Sequence, residues 1–446
     1  MKRTIALVLV LVSPAFLYAG EPLSLRDCME YAVSNSTRMR IRQADRADEQ
    51  LARRNAVFNL FLPSLSASTG LSYSIGKNID PETNVYITSK SLGNSYGLSG
   101  NITIFNGFSA VNNLKIAKTM ERMGLSREQQ TIDEICLATM QAFYNVIYYR
   151  QFCDIVGEQV ETARTSLELA RRQEKLGLKG HADVVQMEAD LASREYQSVN
   201  AEGELEDAMI TLKDVMFWPV EEPLEIDCSI AQEEARIMPS EEDINDIVEF
   251  ARSFNPAAIQ AKGDVDNARL NLSTARWSVL PHLYISGSMS TGYHSYPGRT
   301  DYMPDPFLTQ LERNLGTGFS TGISIPILSG FSKSSNIKRM KTALVRAEAN
   351  YDQKMKDIEN EVYRAVRDRN NAEASYFQAD RLAVKQEEAY RLNLRKFEQG
   401  LISPIEFRTA SAQYLEAKAG RLQSLLTYYI KSRVVRYYYG VSYLEQ

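Results

Sequence analysis

The side chains best suited to nucleophilic, redox or metal chemistry are scattered along this sequence. Four cysteines (Cys28, Cys136, Cys153 and Cys228) lie far apart and form no CxxC pair. Three histidines (His181, His282 and His294) share no ligand or nucleophile spacing, and no glycine-rich phosphate loop is present. A Cys28–Cys228 disulfide is conceivable, but free buried thiols fit the spacing better. The expected catalytic, metal and cofactor sites are therefore none, and an exported enzyme is the weakest reading. Two carboxylates remain of interest, Asp183 and Glu406. Each falls in the first turn of an expected helix, where an acid caps backbone N–H groups and negative charge is favoured by ~0.3–1 kcal/mol.

The elements that would hold these residues begin with a processing segment. Lys2 and Arg3 form a charged start, Ile5–Val12 an apolar core, and Leu17-Tyr18-Ala19 a signal-peptidase site, so residues 1–19 read as a signal peptide. Cys28 lies too far downstream to carry an N-terminal lipid. Without Lys2 and Arg3 the basic residues fall from 51 to 49 against 56 acids, a charge of about −7, and nothing favours nucleic acid. No later stretch has 18 consecutive apolar residues, so an exported chain of this kind is soluble or a β-barrel.

The strongest pattern is Ser64–Gly76. Leu65, Ala67, Thr69, Leu71, Tyr73 and Ile75 alternate with serine and glycine. Such period-two alternation is a strand, and its uncharged small face suits a confined aqueous lumen. A second strand is read at 96–105, with Tyr96, Leu98, Ile102 and Ile104 opposite Gly97, Ser99, Asn101 and Thr103. Between them, 77–95 reads as a long surface loop. Before the first strand, two helices are divided at Asn35-Ser36-Thr37. After the second, 108–176 lacks proline and carries a 4-3-4-3 seam of Val156, Val160, Ala163, Leu167 and Ala170. At 1.5 Å per residue this helix is about 100 Å long. Gly177 and Gly180 break it, and a helix returns over 183–217.

The programme then repeats. After an acidic, proline-broken connector at 219–242 come helices at 244–253 and 256–279. Strands at 282–293 and 316–327 flank a second loop, 294–315. Long helices follow over 331–398 and 404–439, with Gly400 and Ser403 at their turn. Gly400-Leu401 follows Gly177-Leu178 by 223 positions, and Gly330-Phe331-Ser332 follows Gly107-Phe108-Ser109 by the same interval. The first repeat is thus 20–218 and the second 243–446. Four strands cannot close a barrel and an open edge cannot lie in lipid, so membrane-spanning strands require an oligomer. Leu65, Leu71, Tyr73 and Ile75 then face lipid. Phe105, Phe108, Tyr284, Phe319 and Phe331 lie near strand ends, as interfacial aromatic belts or as ordinary packing. The competing architecture is a periplasmic coiled-coil scaffold without a pore.

The paired Leu62-Pro63 and Leu280-Pro281, the stretch ISIPILSGFS (323–332) with its copy ITIFNGFS (102–109), and the turns GLKGHADV (177–184) and GLISPIEF (400–407) resemble the TolC-type outer membrane efflux protein family over residues 22–440. The resemblance implies a membrane protein combining α-helices with a β-barrel. It is a homotrimer with a 12-stranded barrel in the outer membrane lipid, four strands per chain, continued by a long α-helical periplasmic tube with an equatorial region around it. It implies a passive exit duct for efflux or type I secretion, working with a periplasmic adaptor and an inner-membrane pump of RND or ABC type. By the same resemblance Glu406 lies at an acidic pore-ring position, Asp183 matches a tip aspartate, and Gly177, Gly180, Gly400 and Ser403 form adaptor-docking tips. The second acid of the ring would fall at Thr409. A tyrosine and an arginine that lock the mouth in relatives are here Phe397 and Ile402.

Overall fold

The computed structural model describes residues 22–79, 85–229, 243–298, 303–328 and 330–446. The expected signal peptide and residues 230–242 of the connector lie outside them. Helices α1 (Leu25–Asn35) and α2 (Thr37–Phe61) precede strands β1 (Ser64–Ile79) and β2 (Tyr86–Asn106) and long helices α3 (Ser109–Lys175) and α4 (His181–Met216). The second half runs α5 (Ile244–Phe254), α6 (Pro256–Trp277), β3 (His282–Ser295), α7 (Phe307–Arg313), β4 (Gly316–Ser324), α8 (Ser332–Glu398) and α9 (Pro404–Tyr438). The four long helices fall within two residues of their expected limits, because breakers rather than packing end them. Two compact units result. One holds the chain up to Ala44, Ser126–Ile259 and Gln353–Gln446; the other holds Asp45–Leu125 and Gln260–Asp352.

The first unit is helical. Cys28, Met29 and Ala32 of α1 pack with Cys136, Met140, Phe143 and Ile147 of α3, Leu212 and Met216 of α4, and Leu422 and Leu426 of α9. The 3-4 spacing of Met140, Phe143 and Ile147 puts all three on one stripe, and each is fully buried. All four cysteines are free thiols; burial pushes Cys28 and Cys136 up to about 12, so neither is a ready nucleophile. The residues of the connector within view join this core. Leu224 and Ile226 are buried, and Leu23 bridges to Ile226 through backbone bonds with Glu225 and Asp227. At the C-terminus, Tyr437 stacks on Tyr443 with centroids 4.8 Å apart, and its hydroxyl donates to buried Asp133 at 2.9 Å. Burial holds the Asp133 carboxyl above its ordinary range, with the Tyr437 and Gln129 hydrogen bonds opposing that shift.

The second unit is built on one antiparallel sheet in the order β1-β2-β3-β4. Pairing of β2 with β3 joins the two repeats, and β1 and β4 are its edges. The register keeps parity across all four strands. Ser66, Ser99, Ser288 and Gly318 form one row, and Ser64, Asn101, Ser286 and Ser320 the next. Hydroxyls bridge within this face at 2.7 Å, in the pairs Ser66–Ser99, Ser74–Ser91 and Ser286–Ser320. Leu65, Leu71, Tyr73 and Ile75 share the other face and are exposed in the single chain, with Leu71 at 74%.

Several expectations are corrected. The loop at 77–95 is mostly strand, since β1 runs to Ile79 and β2 starts at Tyr86. Gly93, inside that expected loop, is paired in the sheet. A Cβ on it would lie 3.0 Å from Ser72 Oγ and 3.2 Å from the His294 ring, so close packing on the polar face accounts for the glycine. The loop at 294–315 contains α7. β4 stops at Ser324 rather than 327, since Pro326 has no N–H to continue the ladder. A β-bulge between Thr103 and Phe105 leaves Ile104 unpaired and sets Phe105 opposite Leu283, which transfers Phe105 to the apolar face. Tyr284 pairs with Thr103 and Gly322 on the Ser/Gly face, its hydroxyl over Gly322, so it belongs to no outer belt.

The Tyr437 hydroxyl is replaceable in shape but not in bonding. Tyr437→Phe should lower stability by about 1–3 kcal/mol, the cost of a bond lost by a buried acid, and thermal unfolding of the detergent-solubilised protein measures it.

Candidate functional site: the paired helix tips

Both hairpin tips lie in the helical unit, and both end their first helix in the same way. At the α3 tip, Gly177 N donates to Glu174 O at 2.8 Å and Leu178 N to Gln173 O at 2.9 Å. At the α8 tip, Gly400 N donates to Phe397 O at 2.9 Å and Leu401 N to Lys396 O at 2.8 Å. Each pair is a Schellman motif, which requires a left-handed residue at its penultimate position. Gly177 and Gly400 supply it, with φ of 72° and 73°. Gly180 differs. Its φ of −83° is open to any residue, so its place at the tip needs no glycine.

The two carboxylates cap the returning helices. Glu406 Oε2 accepts from Ser403 N at 2.9 Å while Ser403 Oγ accepts from Glu406 N at 3.3 Å, a complete capping box with Pro404 at the first helical position. Asp183 Oδ2 accepts from Gly180 N at 3.3 Å; glycine offers no reciprocal side chain. Glu406 remains exposed and Asp183 half-buried. Thr409, at the position of the second ring acid, turns its hydroxyl to Ile405 O at 2.9 Å.

The tips are held together by an apolar cluster. Leu167, Ala170, Val184 and Met187 of α3 and α4 enclose Tyr390, Phe397 and Phe407 of α8 and α9, with Ile402 packed against them. Phe397 is fully buried and stacks on Phe407 at 4.7 Å and 12°; Tyr390 stacks on Tyr414 at 5.0 Å and 13°. Lys179 of the first tip lies over Phe397 of the second, its Nζ 4.2 Å from the ring centroid. Desolvation lowers the Lys179 pKa, and Asp183 works against that shift. Gln173 Nε2 reaches Glu398 O at 3.4 Å. Phe397 and Ile402 thus meet the first hairpin by apolar burial where the family resemblance implies a polar lock, while the ring stacks lie within the second hairpin.

Sequence reasoning missed a buried ion pair just inside this cluster. Asp190 and Arg194 of α4 are 5% and 4% exposed, with Nε and Oδ1 3.7 Å apart. Burial raises the Asp190 pKa while Arg194 and Arg408 oppose the rise. Their spacing carried a signal, because Met187, Asp190 and Arg194 step by 3 and 4 and so share one face of the helix. Among the described residues no group of histidine, cysteine and carboxylate side chains is arranged to hold a metal ion. The tips can therefore pack, bond and present charge.

A family model described as outer membrane efflux protein matches residues 33–216 and 248–440. The chain belongs to the outer membrane efflux protein family, and its location is the outer membrane. Protein CyaE of Bordetella pertussis is 24% identical over 280 residues, which covers 62% of this chain and 56% of that protein; the match spans little more than half that relative's length. The solved structure of CusC superimposes with a TM-score of 0.77 at 14% identity, covering 93% of this chain and 92% of that one. VceC of Vibrio cholerae gives 0.74 at 14%, covering 93% and 96%. The open-state outer membrane channel MtrE of Neisseria gonorrhoeae gives 0.73 at 15%, covering 94% and 88%. The likeness is one of fold: this chain has the TolC-like fold of outer-membrane channels.

Removing the Phe397 ring should open the contact between hairpins. Phe397→Ala is expected to cost about 3–5 kcal/mol locally. Faster backbone hydrogen exchange around 390–407 and 173–187, with exchange in the sheet unchanged, is the expected result.

Proposed function

We propose that this chain is the exit duct of a tripartite efflux or type I secretion system. Three copies pair β4 of one with β1 of the next, which closes a barrel of twelve strands. The single observation that carries this reading is the sheet: one continuous Ser/Gly face, one apolar face, and two open edges in an outer-membrane family. An open edge in lipid must be paired, and twelve strands leave room for a channel that eight do not. Leu65, Leu71, Tyr73 and Ile75 face the lipid in this assembly and the serines line the lumen. Substrate passes without a bond being made or broken; an inner-membrane pump of RND or ABC type supplies the energy through a periplasmic adaptor. The tips carrying Gly177, Gly180, Gly400 and Ser403 form the mouth that the adaptor docks. Closure rests on burial of Phe397 and Ile402 in the cluster shared by both hairpins and on Lys179 over the Phe397 ring.

Glu406, exposed at the second tip, forms the acidic ring of the mouth, one carboxylate from each copy. A ring of acids in a constriction favours cations. Glutamine serves in a capping box as well as glutamate, so Glu406→Gln removes the charge and keeps the turn. The cation-to-anion permeability ratio of the reconstituted channel should fall toward unity; an unchanged ratio in a planar bilayer removes Glu406 from the ring.

The register of β1 gives a second test. Leu71→Lys should destabilise the inserted trimer by about 2–4 kcal/mol near the bilayer midplane, whereas Ser72→Lys should be tolerated. Heat resistance of the trimer on gels reads both. A scaffold without a pore would instead be released without detergent and show no such contrast.

A further inference from the structure

β4 pairs with β3 only as far as Ser290 and Gly316, yet β3 continues to Ser295. Beyond Ser290 no strand lies on the β4 side of β3 among the described residues. Helix α7 stands in that place. Gln310, 7% exposed, accepts from His294 N through Oε1 at 2.9 Å and donates through Nε2 to His294 O at 3.0 Å. Its amide thus makes the two bonds a paired strand residue would make. Asn314 Nδ2 donates to Gly292 O at 2.8 Å, two residues along the same edge. Thr291 Oγ1 in turn donates to Leu311 O at 2.6 Å, serving a carbonyl at the helix end.

The helix leans onto the apolar face. The Phe307 ring packs edge-on to Tyr96 at 6.4 Å and against Tyr293 at 5.4 Å. Leu315 helps line a hollow of about 380 Å³ with Ala67, Thr69, Leu98 and Met289 of that same face. Outward, Met303 is 96%, Leu308 72% and Leu315 52% exposed. Among the described residues from Met303 to Leu315, charge lies at the helix end and in the turn before it, where Arg313 pairs with Asp305 at 2.5 Å.

We propose that α7 is part of the lipid-facing wall of the barrel. Gln310 and Asn314 continue the hydrogen-bonded edge where β4 is missing, and Met303, Phe307, Leu308 and Leu315 contact the acyl chains of the leaflet on that side. Two observations choose lipid as the occupant. The exposed apolar side chains are continuous with the face carrying Leu71 and Tyr73. The buried amides supply backbone bonding of the kind required at a sheet edge that water does not reach. The inference rests on the barrel reading of the sheet, and the experiment separates the two.

Tryptophan is placed singly at Leu308, Met303, Leu71 and Ser72 in the full trimer reconstituted into phospholipid vesicles carrying brominated acyl chains. The signal of the parent protein, which has Trp218 and Trp277, is subtracted. Met303→Trp guards against misfolding, since that side chain has no packing to lose. The expected result is quenching of Leu308→Trp and Met303→Trp at least half as strong as that of Leu71→Trp, with Ser72→Trp unquenched. Quenching of Leu71→Trp without that of Leu308→Trp or Met303→Trp overturns the α7 inference, whether water or a neighbouring copy covers the helix. Quenching of Ser72→Trp in place of Leu71→Trp overturns the barrel reading itself.

Discussion

A strand edge in hydrocarbon leaves backbone N–H and C=O groups without partners, at several kcal/mol each, and the architecture of this chain turns on that constraint. Within the chain three strand junctions meet it, including the β2–β3 pairing that joins the two repeats. The edges of β1 and β4 do not, and the proposed association of copies would close them. Where β4 falls short of β3, the amides of Gln310 and Asn314 make the bonds instead. Long strands with open edges are normally an aggregation liability; in the proposed trimer they become the assembly interface.

The two sheet faces solve a second problem in opposite ways. Serine hydroxyls on the polar face bond to one another across strands, so the face is hydrophilic without carrying charge. Small residues also let neighbours approach, and larger groups occupy the space they leave, as Tyr284 does over Gly322. The apolar face, by contrast, leaves Leu65, Leu71 and Ile75 largely exposed among the described residues, which for a soluble protein would be a costly exposure.

At the tips, duplication preserved the backbone and changed the side chains. The same pair of Schellman bonds closes both turns, because a helix reversed in so few residues needs a left-handed glycine in either copy. Around them the copies differ. Ser403 and Glu406 complete a capping box that Gly180 cannot, and the contact between hairpins is a shared apolar cluster with Lys179 over the Phe397 ring. Asp183 and Glu406 therefore both act in the helix starts, and any further role for Glu406 is added to that one.

Much of this was legible in the sequence for local reasons. Breakers end helices wherever they occur, so the tip ends of α3, α4, α8 and α9 could be bounded from Gly177, Gly180, Gly400 and Pro404. Period-two alternation revealed four strands, and the 223-residue interval revealed the repeat. Features set by distant partners were not legible. Gly93 fell in an expected loop and is explained only by His294 and Ser72 standing against it, and the bulge at Ile104 is defined only relative to β3. Lys179 over Phe397, the Asp190–Arg194 pair in an apolar stripe, and Gln310 serving as a strand are all contacts between segments far apart or off the periodic pattern. Periodicity and turn chemistry are properties of neighbouring residues and so determine the elements. Register, pairing partner and the cost of a buried polar group depend on what lies across a gap in space, and only the tertiary structure decides them.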